Sequence, residues 1–388
     1  MNRPLRICFV ETQDYAFIRH RLPLGRALVA SGVDLHVIAP GGSAESAIRS
    51  EGVTYHRLSM RRAGANPITE LLVVQQLLRL YRELRPNLVH HFGLKSVLYG
   101  AIAGRLSAVP GIVGSITGLG YTFIPGSIHR QILRGTVTRL LRGALRDPRV
   151  FTIFQNPDDR DLFLEKGLVR SSQTRLIFGS GVDVERFAPA PEPSGPPVVL
   201  VGTRMLLDKG IVELVEASRM LRQADVQVKI RLAGAPDPGN PVSISEDQLR
   251  SWDAEGIVEW VGQKGDMAEQ LRQAHIACLP SYREGLPLFL AEAAAAGRPS
   301  VTTDVPGCRT AIETEKTGLL VPPRDSRALA AALTRLIQDD RLRHAMGNRA
   351  RELALAQFSS RVVTTNIFEL YRSVLGHRGD CLRSAAAS

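Results

Sequence analysis

Residues 275–297 read HIACLPSYREGLPLFLAEAAAAG, and the order of elements in this stretch decides the fold. An apolar run typical of a buried strand comes first, a loop with a glycine follows, and an alanine-rich helix ends at Gly297. Pro287 suits the first position of that helix, because an N–H at this position has no intrahelical acceptor. The free N–H groups of a helix N-terminus bind phosphate. In this sequence those groups belong to Gly285, Leu286 and Leu288.

Two carboxylates flank this helix start. Glu284 lies in the loop just before it, and Glu292 lies eight residues further on, which is about 12 Å along a helix axis. Glu284 can therefore reach a sugar next to a bound phosphate, whereas Glu292 can reach further along a nucleotide. Two glutamates at this spacing are also typical of ordinary solvated or salt-bridged residues, and the position of Glu284 after a buried strand favours the binding role.

The same alternation of short apolar strands and helices runs through the chain of 388 residues, which is too long for one compact domain. Strands are predicted at 5–10, 34–39, 87–92, 111–116, 150–155, 198–201, 226–232, 257–261, 275–279 and 300–303. Strands separated by helices of about 10–15 residues imply right-handed βαβ units and parallel sheets. The predicted fold class is α/β, with two doubly wound, Rossmann-like domains and a ligand site in the cleft between them.

The stretch 187–197 predicts the domain boundary, because five of its eleven residues are prolines and such a composition favours a semi-rigid linker. The N-terminal domain is then 1–186, and the C-terminal domain is 198–358. One more amphipathic helix is predicted at 362–374, and the polar residues 377–388 are predicted to form a loose tail.

A second strand, at 198–201, ends at Gly202 and is followed by a loop with two cations. A glycine here lets a ligand approach the backbone. Arg204 and Lys209 can together hold a diphosphate and stabilise it as it leaves. Two surface cations beside Asp208 are the simpler interpretation of the same residues.

Five motifs follow one another in the second half of the chain. They are GVD at 181–183 with Phe187, GTR at 202–204 with DKG at 208–210, the pair Glu284 and Glu292, PGCR at 306–309, and TGLLVPP at 317–323. In this order they resemble glycosyltransferase family 4, and they span nearly all of residues 180–325. The resemblance implies a GT-B fold, a metal-independent reaction that retains the anomeric configuration, and a last helix, within 359–376, that returns to the N-terminal domain.

The resemblance also implies the roles of individual residues. The position of Glu284 contacts the donor sugar and that of Glu292 the ribose hydroxyls, while the backbone near 261–265 reads the nucleotide base. The predicted catalytic residues are Glu284, Arg204 and Lys209. The predicted donor-binding residues are Gly202, Gly262, Gln263, Gly285, Leu286, Pro287 and Glu292. No metal and no cofactor is expected, since the nucleotide sugar is a substrate.

Four segments of the N-terminal half are similar to the subset of this family that acts on polyprenyl-linked glycans. They are FIRHRLPL at 17–24, AGANP at 63–67, HHFGLK at 90–95 and TGLG at 117–120. The resemblance implies a polyprenyl-diphosphate-linked glycan as the acceptor. The chain departs from it at two places: residues 11–15 read ETQDY where many members have two glycines, and Thr117 stands where many have a histidine near the sugar.

The acceptor side is predicted from residues in these segments. His91 and Lys95 are candidates for the mouth of the cleft, and a surface pair at a helix start is an equal alternative. Thr117, Gly118 and Gly120 are the other candidates. The two glycines can admit a substrate to the backbone or can simply form a tight turn.

The net charge of +11 lies entirely in the first half of the chain. Residues 1–190 hold 25 Lys+Arg and 14 Asp+Glu, whereas residues 191–388 hold 24 of each. Within this half, arginines alternate with apolar residues at Arg130, Arg134, Arg139, Arg142 and Arg146, after the apolar lead-in 121–124. A basic amphipathic helix on an anionic membrane is predicted, with an ordinary surface helix as the alternative. Nucleic acid is not expected as a partner, because only 5% of residues are aromatic.

The cellular location of the protein is predicted from its cysteines and from its N-terminal residues. The four cysteines contain no C-x-x-C pair, and the first apolar run is too short for a signal peptide. We therefore expect a cytoplasmic protein, peripheral at the inner face of the cell membrane. The D-x-D pattern at 159–161 follows Asn156 and Pro157, which predicts a capped helix start instead of a metal site.

These features predict a retaining, metal-independent glycosyltransferase. Its donor would be a nucleotide sugar, with UDP favoured by the resemblance, and its acceptor a lipid-linked or polysaccharide precursor in cell-surface glycan biosynthesis. No carboxylate can be assigned as a nucleophile, so the donor phosphate would itself take the proton of the acceptor. One alternative is a nucleotide-sugar epimerase of the same fold, which would need acid and base groups. The other is a non-catalytic protein that binds membrane or nucleic acid.

Overall fold

The computed structural model describes residues 4–61, 66–119, 128–263 and 266–382, and within 128–134 it describes the backbone. The chain forms two compact units. Unit 1 contains Met1–Gly181 and Ser360–Ser388, and unit 2 contains Val182–Ser359. The chain thus passes from the first unit to the second five residues before the predicted boundary at 186/187.

Unit 1 is built on a parallel sheet of seven strands. They are β1 Arg6–Val10, β2 Asp34–Ala39, β3 Thr54–Arg57, β4 Leu88–Phe92, β5 Gly111–Ile116, β6 Val150–Phe154 and β7 Thr174–Leu176. Their order is β3-β2-β1-β4-β5-β6-β7. The chain adds β2 and β3 on one side of β1 and then β4 to β7 on its other side, so the strand order reverses between β1 and β4. The sequence pattern predicts neither edge strand, β3 nor β7, because each is short and partly exposed and so lacks an apolar run.

Seven helices of unit 1 follow its strands. They are α1 Tyr15–His20, α2 Leu22–Ala30, α3 Glu45–Ser50, α4 Pro67–Leu84, α5 Leu94–Leu106, α6 Ile128–Leu145 and α7 Pro157–Glu165. The two faces of the sheet support separate hydrophobic clusters. Ile7 and Phe9 of β1 pack into one cluster, and Cys8 and Val10 pack into the other, as the alternation of side chains along a strand requires.

Unit 2 is a second parallel sheet with helices. Its strands are β8 Val198–Gly202, β9 Lys229–Ala233, β10 Glu259–Gly262, β11 Ile276–Leu279, β12 Ser300–Thr303 and β13 Gly318–Val321. Its helices are α8 Ile211–Gln223, α9 Glu246–Ala254, α10 Met267–Arg272, α11 Leu288–Ala295, α12 Cys308–Ala311, α13 Ser326–Gln338 and α14 Asp340–Leu353. The strand order β10-β9-β8-β11-β12-β13 reverses between β8 and β11. Two Rossmann-like domains are thus present, as predicted.

The last helix, α15 Ser360–Leu375, belongs to unit 1. Its residues Ile367, Phe368 and Tyr371 are buried in the same cluster as Phe9, which confirms that the C-terminal helix returns to the first domain. The chain continues in a short helical turn at Gly376–Gly379, and Leu382 is fully buried in this cluster. The prediction of a loose tail is therefore wrong for residues 377–382.

The proline-rich stretch 187–197 lies inside unit 2 and is held by basic side chains. The guanidinium of Arg343, itself buried, donates two hydrogen bonds of 2.8 and 2.7 Å to the carboxylate of Glu192. Arg298 donates to the carbonyl oxygen of Ala190 at 2.9 Å. These contacts make the stretch a part of unit 2, whereas the sequence predicts a linker.

Candidate active site

The loops after β8 and β11 leave the sheet of unit 2 side by side. These two strands pair in parallel, and the strand order reverses between them. Ligands of open α/β sheets bind outside the carboxyl ends of the strands at such a switch point. The two stretches that the sequence predicts as donor-binding, 202–210 and 280–292, are therefore at the place where the fold favours a ligand.

Backbone contacts join the two loops. The N–H of Tyr282 donates to the carbonyl oxygen of Asp208 at 2.9 Å, and the hydroxyl of Ser281 approaches the same oxygen at 3.2 Å. Gly210 has a φ of +70°, and a Cβ atom there would lie 2.0 Å from the carbonyl oxygen of Pro280. Glycine is required at this position because any other side chain would push the loops apart.

Lys209 and Glu284 form an ion pair across these loops. Both side chains are mostly buried, with 13% and 15% of their surface exposed. Ser281 donates a further hydrogen bond of 2.8 Å to Oε1 of Glu284. The structure thus brings together two of the three predicted catalytic residues. Ser281 is not among the residues predicted from the sequence, although its position three residues before Glu284 in the same loop is a usable signal.

A second turn supports the loop that carries Glu284. The N–H of Glu284 donates to the carbonyl oxygen of Pro306 at 3.2 Å. Gly307 has a φ of +80°, and a Cβ atom there would lie 2.5 and 2.6 Å from the carbonyl oxygens of Gly285 and Glu284. The turn at Pro306 and Gly307 therefore packs against the backbone of the loop that carries Glu284 and holds it in place.

Helix α11 begins one residue later than the sequence predicts. Pro287 is its N-cap, with φ −70° and ψ 116°, and not its first helical residue. The carbonyl oxygen of Pro287 accepts from the N–H groups of Leu290 and Ala291. Within the described ranges, no group accepts from the N–H of Leu288. Gly285 and Leu286 are buried beside this helix start.

Glu292 is buried on α11 close to a cation that the sequence analysis does not single out. Arg186 forms an ion pair of 2.6 Å with Asp266. The hydrogen bond that Arg186 donates to Asp266 raises the pKa of Arg186 above its usual range, and the charge of Glu292 adds a smaller effect. Arg186 follows the GVD motif at 181–183, so its proximity to a family motif is the signal that could have identified it.

Arg204 lies at the same edge of the sheet but pairs with a different carboxylate. Its guanidinium is 2.5 Å from Oδ2 of Asp237, which follows β9. The structure therefore separates the two predicted diphosphate ligands: Lys209 is paired with Glu284, and Arg204 with Asp237.

The two remaining glycines of the donor prediction differ in their surroundings. A Cβ atom at Gly202 would lie 2.5 Å from Phe289 and 2.7 Å from Met267, so this glycine makes room for packed side chains instead of a ligand. Gly262 has a φ of +66° and open space around its Cβ position, and Gln263 next to it is exposed.

The predicted position of His91 at a surface is wrong, because the side chain is fully buried in unit 1. Its ring nitrogens contact the hydroxyl of Tyr81 at 2.8 Å and the carbonyl oxygen of Val113 at 3.2 Å. Burial lowers the pKa of His91 to about 3. A Cβ atom at Gly100 would overlap the ring, so this glycine of α5 makes room for it. His91 is a core residue that carries no charge at neutral pH.

The other acceptor-side candidates follow strands β4 and β5. Lys95 forms an ion pair of 2.7 Å with Glu70 of α4. Thr117 and Gly118 are partly exposed after β5, and Gly118 has a φ of +146°. Gly120 lies outside the described residues.

Helix α6 has an exposed basic face and a buried apolar face, as an amphipathic helix requires. Arg139, Arg142 and Arg146 are exposed, whereas Leu141 and Leu145 are buried against the core. The side chains of Arg130 and Arg134 and the lead-in 121–124 lie outside the described residues. In the part of the chain that the structure describes, no helix is long and apolar enough to cross a membrane.

The D-x-D pattern is a helix start, as predicted. The side chain of Asn156 caps α7 by accepting a hydrogen bond of 2.8 Å from the N–H of Asp159. Asp159 is fully buried beside this cap.

Two family profiles match the chain, one in each unit. Glycosyl transferases group 1 matches residues 183–353, and Glycosyl transferase 4-like matches residues 6–147. A relative from Campylobacter jejuni, named N,N'-diacetylbacillosaminyl-diphospho-undecaprenol alpha-1,3-N-acetylgalactosaminyltransferase, is 26% identical over 384 residues, which cover 96% of this chain and 99% of the relative.

Two solved structures share the fold. Sucrose-phosphate synthase from Thermosynechococcus elongatus has a TM-score of 0.78 at 23% identity and covers 95% of this chain and 99% of its own. HepE from Anabaena, crystallised with UDP and glucose, has a TM-score of 0.75 at 18% identity and covers 95% of this chain and 100% of its own. At these identities the likeness shows the fold alone, and it confirms the predicted GT-B class.

Proposed function

The chain belongs to the group 1 glycosyltransferases, and from this premise we propose that it transfers a sugar from a UDP-sugar onto a polyprenyl-diphosphate-linked glycan. The transfer would retain the anomeric configuration and need no metal ion. The observation that carries the proposal is the Lys209–Glu284 pair beside the start of α11, at the switch point of unit 2.

The geometry of this pair suits a departing diphosphate. A diphosphate at the N-terminus of α11 would receive hydrogen bonds from free N–H groups such as that of Leu288. Its negative charge would draw the ammonium of Lys209 away from Glu284. Glu284 would then be free to accept a hydrogen bond from a hydroxyl of the donor sugar, held in place by Ser281. Binding therefore replaces the Lys209–Glu284 pair by a pair of Lys209 with the diphosphate, and the carboxylate of Glu284 keeps hydrogen bonds from Ser281 and from the sugar.

The bond changes need no nucleophilic side chain in this scheme. The acceptor hydroxyl attacks the anomeric carbon as the bond to the diphosphate breaks, and an oxygen of that diphosphate takes the hydroxyl proton. Lys209 and the helix N-terminus stabilise the charge that develops on the leaving group. Arg204 would add a second cation if it exchanges Asp237 for the diphosphate.

The nucleotide would extend along α11 towards Glu292. This carboxylate is buried beside Arg186 and lies about one turn beyond the helix start, within reach of ribose hydroxyls. The choice of UDP is supported by HepE, which binds UDP and shares the fold. The choice of a lipid-linked acceptor is supported by the Campylobacter relative, whose name specifies an undecaprenol-linked substrate.

A membrane surface would present such an acceptor, and the charges of unit 1 suit it. Unit 1 holds 28 Lys+Arg and 14 Asp+Glu, whereas unit 2 holds 21 and 24. Exposed arginines surround the exposed Leu140 on α6. The first turns of α4 also expose three large apolar side chains on one helix face, with 71% of Ile68, 59% of Leu71 and 56% of Leu72 accessible. We propose that α4 and α6 contact the inner face of the cell membrane.

The test is nucleotide release from a panel of UDP- and GDP-sugars in EDTA, with and without a polyprenyl-diphosphate-linked sugar. Acceptor-dependent release of UDP, with an α-linked product from an α-linked donor, would support the proposed donor, the lipid-linked acceptor, retention and metal independence. Release that stops in EDTA would contradict metal independence. Formation of an epimerised nucleotide sugar without acceptor would show an epimerase.

A further inference from the structure

Glu11 occupies in unit 1 the place that the donor loops occupy in unit 2. It is the first residue after β1, and its N–H donates to the carbonyl oxygen of Ile38 at 3.0 Å, so it extends the central strand by one residue. The strand order of unit 1 reverses between β1 and β4. Glu11 therefore lies at the carboxyl edge of the sheet, at its switch point, where open α/β sheets bind ligands.

One oxygen of the Glu11 carboxylate is held by an arginine. Nε of Arg21, at the junction of α1 and α2, donates to Oε1 of Glu11 at 3.1 Å. The guanidinium of Arg21 lies 4.0 Å from the ring centre of Phe92, the last residue of β4. Within residues 4–61, 66–119, 128–263 and 266–382, no group donates a hydrogen bond to Oε2 of Glu11. The pair thus spans the two strands of the switch point and leaves one oxygen available.

This arrangement is costly for an unliganded protein. Only 3% of Glu11 and 7% of Arg21 is exposed, so both charges are largely removed from water. Burial raises the pKa of Glu11 to about 7, although the charge and the hydrogen bond of Arg21 act in the opposite direction. A buried carboxylate with one hydrogen bond is incompletely satisfied, and buried groups of this kind concentrate at binding sites.

The neighbouring polar groups are already used within the fold. Asp14 accepts from the N–H of Ala44 at 2.8 Å, and Gln13 accepts from the hydroxyl of Tyr15 at 2.9 Å. Oε2 of Glu11 is an acceptor at this edge of β1 to which the described residues donate no hydrogen bond. A carboxylate oxygen repels anions and accepts hydrogen bonds, so the hydroxyl groups of a glycan are donors that it can bind.

We propose that Oε2 of Glu11 accepts a hydrogen bond from a hydroxyl of the acceptor glycan, with Arg21 holding the carboxylate in position. The inference rests on the proposed function, in which unit 2 binds the nucleotide sugar. Glu11 is then a specificity-determining residue of the acceptor site, and Arg21 is a positioning residue.

The test is Glu11→Gln, which keeps the shape of the side chain and removes its charge. The KM for the lipid-linked acceptor should rise by about 10-fold or more, because a hydrogen bond to a charged group is lost. The KM for the nucleotide sugar and its slow hydrolysis without acceptor should stay unchanged. Asp34→Asn is the matched control, since Asp34 pairs with Arg6 at 2.7 Å at the start of β2, the opposite edge of the same sheet.

A structural role would give a different result. If Glu11→Gln lowers the thermal midpoint and leaves the acceptor KM as in the parent, the inference is overturned. Should this variant fail to fold by circular dichroism, Glu11→Asp decides, because it keeps the charge and withdraws it by one methylene: an unchanged acceptor KM again overturns the inference. Failure of the parent enzyme to transfer any sugar would instead refute the proposed function, so the two failures are distinguishable.

Discussion

The two units share a parallel sheet with a reversed strand order, but they differ in where they keep their polar groups. Unit 2 places Lys209, Glu284 and Arg204 in loops at the edge of the sheet, where each is within reach of solvent. Unit 1 buries His90 and His91 inside strand β4 itself. The charged side chains of unit 2 can therefore exchange their present partners for a ligand. In unit 1, by contrast, the stability of the fold depends on the protonation of the buried histidines.

His90 shows how deeply this polar core is built into unit 1. Its ring nitrogens contact the hydroxyl of Tyr371 at 2.5 Å and the hydroxyl of Ser115 at 2.7 Å. Tyr371 comes from α15, so the returning C-terminal helix is fixed to the centre of the sheet by a specific hydrogen bond as well as by apolar packing. Burial lowers the pKa of His90 well below its usual range, and the charge of Arg21 lowers it further.

The largest effect is expected from breaking the Lys209–Glu284 pair of unit 2. Lys209→Ala should lower kcat for sugar transfer by about 100-fold or more, because a preorganised cation at the leaving diphosphate is lost. Steady-state nucleotide release measures this effect, with circular dichroism to show that the fold is kept. Lys229→Ala is the control, since Lys229 is an exposed lysine at the start of β9 in the same sheet. Equal turnover of Lys209→Ala and the parent would refute the site.

Next in size is the loss of the buried pair that fixes the proline-rich stretch to unit 2. Arg343→Met should lower the free energy of unfolding by about 2–3 kcal/mol, because the mostly buried carboxylate of Glu192 loses the guanidinium that donates two hydrogen bonds to it. Urea unfolding followed by tryptophan fluorescence measures it. The double variant with Glu192→Gln should regain part of the loss. If Arg343→Met unfolds like the parent, the stretch is a linker, as the sequence predicts.

The sequence predicts the strands better than the side-chain partners, and the residues show why. β2 and β12 have the predicted bounds, because an apolar run between polar flanks is a local signal. Lys209 pairs with Glu284, 75 residues further along the chain, and Arg204 pairs with Asp237, 33 residues further along, so neither partner is a local signal. The burial of His91 likewise depends on Tyr81 of α4 and Gly100 of α5, and a sequence with no structure does not reveal this pocket.

Lowering the pH should destabilise unit 1 more than unit 2. His20, His90 and His91 bind protons only in the unfolded chain between pH 6.5 and about 4.5, whereas Glu11, with its raised pKa, binds a proton in the folded chain over the same range. Three protons taken up on unfolding outweigh one released. The stability of unit 1 should therefore fall as the pH falls below about 6.5, by about 2.7 kcal/mol per pH unit.

The two tryptophans allow this difference to be measured. Trp252 and Trp260 both lie in unit 2, so their fluorescence reports that unit, whereas far-ultraviolet circular dichroism reports both. At pH 5 the urea transition by circular dichroism should begin before the transition by fluorescence, and at pH 7 the gap should narrow. His344→Gln, at an exposed histidine of unit 2, is the control and should change neither. A gap that does not depend on pH would show that the buried histidines do not set the stability of unit 1.

The smallest effect is expected at the surface of unit 1. Arg139→Glu with Arg142→Glu should weaken binding to vesicles of anionic phospholipid by about 10-fold or more, because each basic residue at a membrane surface contributes about 1 kcal/mol. Arg219→Glu with Arg222→Glu changes two arginines at the same spacing on α8 of unit 2, whose net charge is negative, and should leave co-sedimentation as in the parent.

Leu71→Ser with Leu72→Ser tests the apolar side chains of α4, and its effect should persist in high salt, where the effect of the arginine variants disappears. Equal loss of binding from both units would mean that charge alone, and not a particular face, attracts the protein to the membrane.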